Sequence, residues 1–189
     1  MCGQEVPEDD HRHVVDLNGR SMLCVCRGCA LLFLERGAAQ GRYLTVPERY
    51  LRIHPFALDP VAWASLQIPV GVVFVVRVTT EGAAADTPVA FYPSPGGATE
   101  SELSMHSWAS IVADTPVLAD VQPDVEAVLV RTHDIDDPVC YVVPVDRCYE
   151  LVGALRLHWR GFDGGKEAHQ AMADFFSDID TRSRVTQPC

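Results

Sequence analysis

The stretch VGVVFVVRV, Val70–Val78, decides the fold class. Six of its nine residues are valine. β-Branched side chains are stiff at χ1 and pack well on a pleated surface, so the stretch reads as a buried strand. It is far too short to span a bilayer, which takes about 20 apolar residues in a helix. Further strands follow downstream. PVAFYP at Pro88–Pro93 is reached through the loop TEGAAADT, and DVEAVLVR and CYVVP read as adjacent strands across THDIDDP. Short connections of this kind favour antiparallel pairing. Strands at 71–78, 88–92, 125–131 and 139–143 are expected in one sheet.

Helices alternate with these strands. DPVAWASL, Asp59–Leu66, begins with an N-cap aspartate and a proline at the first helical position. SMHSWASIVA and DRCYELVGALRLHW follow later, the second opened by Pro144 or Asp146 and broken by RGFDGG. KEAHQAMADFFSDI sets Ala168, Met172, Phe175, Phe176 and Ile179 on one face at helical spacing. Helices are therefore expected near 104–113, 145–158 and 165–180. The class is α+β, a mainly antiparallel sheet packed by helices. Pro116–Pro123 reads as irregular, and DTRSRVTQPC as a frayed tail. RYLTVPERYLRI at 42–53 reads as strand material broken by Pro47.

Upstream of this body the chain changes character. HVVDLNGRSMLC places two apolar runs around Asn18-Gly19, the dipeptide that type I′ hairpin turns favour. RGCALLFLER then reads as a short helix ending at Gly37, and GAAQG as a linker. The expected organisation is a cysteine/histidine module at 1–36, a main domain at 42–183 and a flexible tail at 184–189.

CVCRGC, Cys24–Cys29, carries the chemistry. Four thiolates, or three and an imidazole, close a tetrahedral zinc site, and a two-residue gap makes a tight knuckle. Cys26 and Cys29 have that gap, and Cys29 falls at a helix start, where free N–H groups favour negative charge. Cys2 is the expected third ligand. Cys24 lies two residues from Cys26 and so shares its strand face. His11 and His13 share a face by the same rule. Cys24, then His13, then His11 is the expected order for the fourth ligand. The expected fold of the module is treble-clef-like or knuckle-like, with zinc bound; iron or an iron–sulfur cluster is the alternative. Cys140, Cys148 and Cys189 read as small buried hydrophobes or tail residues.

The string CG…P…HRH…DL…R…LC-x-CRGCALLF resembles the N-terminal module of an uncharacterised bacterial family, a domain of unknown function found in gene neighbourhoods of nickel–iron hydrogenases. AWASLQIPVG, YPSPGGATES, PDVEAVLV and WRGF-x-GG extend the resemblance along the chain. In that family the module usually begins C-x-x-C-G. Cys2-Gly3 matches the second half, and the first cysteine would fall before Met1. Either the start lies upstream, or His11, His13 or Cys24 replaces that ligand. The resemblance implies a metal-bearing accessory protein, with a hydrogenase complex or its maturation factors as partner.

Composition bounds the alternatives. The net charge is −11. Residues 1–52 balance seven arginines with seven acidic residues, and residues 53–189 hold eight basic and nineteen acidic residues. An acidic body argues against a nucleic-acid groove. MCGQEVPEDD has neither the basic nor the apolar segment of a signal peptide, so a cytoplasmic location with reduced thiols is expected, with no membrane span. The loop SPGGATES precedes a helix and could cradle an anion through Ser94, Gly96, Gly97, Thr99 and Ser101. It matches neither nucleotide fingerprint, and a turn with Thr99 or Ser101 as helix cap is the preferred reading. HDIDDP lacks the spacing of a calcium loop. Tyr141, Trp159 and Arg160 with GFDGG could shape a pocket, but read first as core aromatics and a helix break. His106, His158 and His169 stand alone in the sequence, and none is assigned to catalysis. The expected function is a zinc-stabilised accessory or assembly protein rather than an enzyme. An iron–sulfur or redox accessory protein is the alternative, and an enzyme using the Ser94–Ser101 loop a second one.

Overall fold

The structure, a computed structural model, describes all residues except 4, 8, 9, 59, 66–70, 81–85, 95, 102, 104, 133–137, 162, 163 and 189, and the side chains at 62 and 65. The expected cap at Asp59, the acidic run at 133–137, most of the TEGAAADT loop and the terminal Cys189 lie outside the described residues. Contacts divide the chain into two units, Met1–Glu48 and Arg49–Cys189.

The larger unit holds a seven-stranded sheet. Its strands are β4 (Leu51–Ile53), β5 (Val72–Val78), β6 (Thr87–Ser94), β7 (Gly97–Ser101), β8 (Glu126–Thr132), β9 (Pro138–Pro144) and β10 (Arg184–Thr186), in the order β10-β4-β9-β8-β5-β6-β7. All neighbours are antiparallel except β10 on β4. Helices α2 (Pro60–Ser65), α3 (Met105–Asp114), α4 (Val145–His158) and α5 (Gly165–Arg182) complete the unit. This is the α+β arrangement expected from the sequence.

The valine run is explained by helices on both faces of the sheet. Val73 and Val75 of β5, with Val128, Val130 and Val142, pack with Trp108 of α3 and Trp63 of α2. Phe74 points the other way, its ring 6.2 Å from that of Tyr149 on α4. Tyr141 of β9 meets Phe176 of α5 at 6.1 Å. A strand covered on both faces needs no polar alternation, hence the continuous apolar run. A Cβ at Gly71, just before β5, would lie 2.4 Å from the Thr132 carbonyl oxygen, so only glycine fits beside the end of β8.

Two expectations change here. PSPGGATES is not a loop running into a helix cap. Ser94 pairs with Gly97, so β6 and β7 form a tight hairpin, and Thr99 and Ser101 lie in β7, short of the helix that starts at Met105. The tail is not frayed over 184–186: the Arg184 N–H donates to the Tyr50 carbonyl and the His54 N–H to that of Thr186, so β10 closes the open edge of β4. The strand material of 42–53 is broken around Pro47 as expected, and its two pieces go to different sheets: Tyr43–Thr45 belongs to the first unit and Leu51–Ile53 to the second.

The smaller unit is a three-stranded antiparallel sheet, β2 (Ser21–Cys26), β1 (His11–Asp16) and β3 (Tyr43–Thr45), in the order β2-β1-β3, with the short helix α1 (Arg27–Leu31). It therefore extends beyond residue 36, because β3 pairs with β1. The turn at 17–20 is not the type I′ turn expected of Asn18-Gly19: the positive φ, +47°, falls on Arg20. The Asp16 carboxylate accepts the N–H groups of Asn18 (3.2 Å) and Gly19 (3.1 Å), closing a longer turn. Helix α1 stops at Leu31 rather than near Gly37. The Thr45 hydroxyl donates to the Ala30 carbonyl and the Thr45 N–H to that of Phe33, so β3 takes the carbonyls a longer helix would need.

Among the described residues, no helix is long and apolar enough to cross a membrane.

Candidate metal centre

The site is built by three pieces of the first unit: the segment before β1, the β1–β2 hairpin and the first turn of α1. Cys26 ends β2 with extended backbone (φ −72°, ψ 159°) and is the N-cap of α1, with Cys29 on the helix's first turn. That change from strand to helix brings both thiols of the C-x-x-C pair to one side. Cys2 reaches them from the other end of the unit. Its Sγ lies 3.6 Å from Cys26 Sγ, and its N–H donates to Cys29 Sγ at 3.3 Å. The ligand atoms of Cys2, Cys26 and Cys29 all lie within 4.8 Å of one another.

These distances suit a metal better than a disulfide. A disulfide bond is about 2.0 Å long. Sulfurs about 2.3 Å from a tetrahedral zinc ion stand about 3.8 Å apart, close to the observed Cys2–Cys26 separation. In chain order, the segment bearing Cys2 comes first, then the hairpin that ends at Cys26, then the helix that carries Cys29. The N–H of Cys2 acting on Cys29 Sγ lowers that thiol's pKa. The sulfurs of Cys2 and Cys26 and burial outweigh it, and the Cys29 thiol stands above its ordinary value. A divalent cation among three sulfurs reverses that balance, because each thiolate then faces a positive charge.

The remaining candidates form a second group. His11, His13 and Cys24 have their ligand atoms within 4.8 Å of one another, and the two imidazoles meet edge-on with centroids 4.7 Å apart. The register explains the split. His11 is opposite Cys26, and His13 opposite Cys24. Cys24 and Cys26 do share a strand face, but residues two apart on a strand are displaced by about 6.7 Å. One tetrahedral ion does not span that distance without bending the strand. His11, His13 and Cys24, the three residues expected to compete for the fourth position, thus stand together in a group of their own. That grouping was absent from the sequence because the register depends on the length of the turn.

The other cysteines are unlike these. Cys140 on β9 and Cys148 on α4 are fully buried, and burial pushes both thiols well up. In the hairpin of the second unit, the Ser94 hydroxyl donates to the Gly97 carbonyl and accepts from the Gly96 N–H and the Thr99 hydroxyl. Four of the five residues read as a possible anion cradle, Ser94, Gly96, Gly97 and Thr99, are thus joined by hydrogen bonds within the turn.

A family model covers residues 1–183. The chain belongs to DUF5947, a family of unknown function. No curated protein and no solved structure matches it. In this DUF5947 chain the metal-site argument therefore rests on its own geometry.

Proposed function

We propose that the protein is a zinc-stabilised accessory or assembly protein that works with a protein partner in the cytoplasm. The observation that carries this reading is the convergence of three thiols, Cys2 from the first residues and Cys26 and Cys29 from the junction of β2 and α1. Their donor set suits zinc, which takes four ligands in a closed structural site. The fourth donor is to come from Cys24, His13 or His11, which form a group of their own. The metal's part is to hold the segment before β1 against α1, which its few core side chains do not do alone.

An interaction role is favoured by the surface of the same unit. Leu31, Leu32 and Leu34, 67%, 66% and 57% exposed, give it an apolar edge. The finer reading, a part in the maturation of a nickel–iron hydrogenase, rests on the resemblance of the CG…HRH…LC-x-CRGCALLF string.

The test is metal analysis of the full chain purified without oxygen, native and with Cys26→Ser, Cys29→Ser and Cys140→Ser. A colourless native protein with one zinc per chain is expected, with zinc lost from the first two variants and kept by the third. A brown protein with iron and sulfide would support the iron–sulfur reading. Full zinc in Cys26→Ser or Cys29→Ser would overturn the assignment.

A further inference from the structure

A cavity of about 300 Å³ lies in the second unit, where the ends of β5 and β8 meet α4 and α5. That volume is at the lower end of the range for small-molecule pockets. Its wall is mainly apolar and includes Val72, Leu155, Trp159 and Met172, and it holds one strongly charged side chain, Arg131. Arg131 comes to this position by strand alternation. Leu129 and Ala127, two and four residues before it on β8, are fully buried, so Arg131 continues an inward-facing row.

The surroundings of Arg131 are unusual for this chain. Arg49, Arg52, Arg77, Arg147 and Arg182 of the same unit each hold a carboxylate. Arg131 makes no ion pair or hydrogen bond among the described residues, and its Nε is buried without a partner. Its guanidinium lies over the Phe176 ring, 4.5 Å from the centroid. The nearby Asp180 is already engaged, its Oδ1 accepting from the Tyr141 hydroxyl at 2.8 Å and from Arg52 at 3.1 Å. A buried donor without a partner is costly, and natural proteins rarely leave one unless something else completes it. The chain has many more carboxylates than cations, so the missing partner is not explained by a shortage of acid.

We propose that this cavity binds a small organic carboxylate, with Arg131 as its counter-charge and Trp159 against its apolar body. A guanidinium presents two parallel N–H groups to the two oxygens of a carboxylate. Phosphate fits less well, because it is more strongly charged and hydrated and the wall offers one cation and much apolar surface. The mouth favours the same sign of ligand. His169 is shared with an open depression that includes Lys166, the only lysine of the chain. The His169 Nδ1–H donates to the Gly165 carbonyl at 2.7 Å, which fixes the ring with Nε2 left for other partners. Trp159 is held in turn: its Nε1–H donates to the Gly161 carbonyl at 3.0 Å, and a Cβ at Gly164 would lie 3.4 Å from its ring. Gly161 and Gly164 thus do more than end a helix. The proposal does not depend on the metal site.

The experiment is calorimetric titration of the full-length native chain with benzoate, benzamide and inorganic phosphate, repeated with Arg131→Met and Arg131→Lys. Benzoate is expected to bind roughly tenfold or more tightly than benzamide, the effect of one charge-assisted contact, and phosphate not measurably. Arg131→Met should lose that preference with its melting temperature kept, and Arg131→Lys should keep part of it. Equal binding of benzoate and benzamide to the native chain, or no binding of benzoate, overturns the proposal. So does benzoate binding that survives Arg131→Met. If Arg131→Met does not fold, the native-chain comparison and Arg131→Lys still decide it. Binding of phosphate in place of benzoate would show an anion site of another kind and would also overturn it.

Discussion

Cys29 and Cys140 are almost equally buried, at 5% and 0% exposure, yet they belong to different kinds of structure. Cys140 sits in the large sheet among Ile53, Val128, Val130 and Val142 and acts as a small hydrophobe. Cys29 sits in a cluster of only five buried residues, with Val14, Val25, Ala30 and Phe33, and is also one of three converging thiols. In the first unit the core and the candidate metal site share Cys29, and Cys26 packs against the same cluster. In the second the core is large, covered by helices on both faces, and has no such need. Burial alone does not tell a ligand from a filler; the neighbouring donors do. Small units with few core side chains commonly depend on a metal or disulfide for the stability that larger ones gain from apolar burial.

The comparison is most strongly tested by removing the zinc proposed for the first unit. A structural zinc contributes roughly 10–16 kcal/mol of apparent binding free energy in small modules. Chelation should therefore abolish hydrogen-exchange protection of β1, β2 and β3 while β5, β8 and β9 keep theirs. A fragment of residues 49–189 should still melt cooperatively. Unchanged protection of the first unit after chelation would show that its small core suffices.

The next effect is confined to the second unit. Glu126 is fully buried and accepts both Nε and Nη2 of Arg49, each at 2.7 Å, and the Gln122 N–H at 2.8 Å. Removing one partner of a buried pair leaves the other uncompensated, so Glu126→Ala should destabilise this unit by about 3–5 kcal/mol. Chemical denaturation gives the loss, and the zinc content should not change. A matching fall in zinc would mean that the units are not energetically separate.

The smallest effect is electrostatic and belongs to the first unit. The Asp16 carboxyl is held below its ordinary value of 3.8, first by the Arg42 guanidinium and then by the Gly19 N–H. A value lower in the folded than in the unfolded chain contributes stability above the ordinary value, and that stability is lost as pH falls through the lowered one. Native chain and Asp16→Asn should therefore differ most in melting temperature at neutral pH, with the gap closing in acid. Loss of the proposed metal in acid would affect both chains alike, so their difference isolates the turn. A gap that widened in acid would contradict the assignment.

Much of this was legible from the chain. The valine run, the β-branched strands and the amphipathic helices were identifiable because each is dictated by local periodicity, and all were found close to the expected residues. Cys26 and Cys29 were legible as a pair because two residues is the spacing of a knuckle. The boundary after Glu48 was not, since Tyr43–Thr45 looks like any short strand and its partner β1 lies far back in sequence. The pairing of Arg184–Thr186 with β4 was hidden for the same reason. Arg131 was overlooked because a charge at a strand end reads as a boundary unless the face it continues is known.

By itself, the sequence determined the elements, the two-residue ligand pair and the acidic character of the main body, because these depend on neighbours along the chain. Only the tertiary structure decided that Cys2 joins Cys26 and Cys29, that Cys24 goes with the two histidines, and that Arg131 faces a cavity. Those outcomes depend on strand register and on how α1, α4 and α5 pack. Contacts between residues distant in sequence set both, and local spacing carries no record of them.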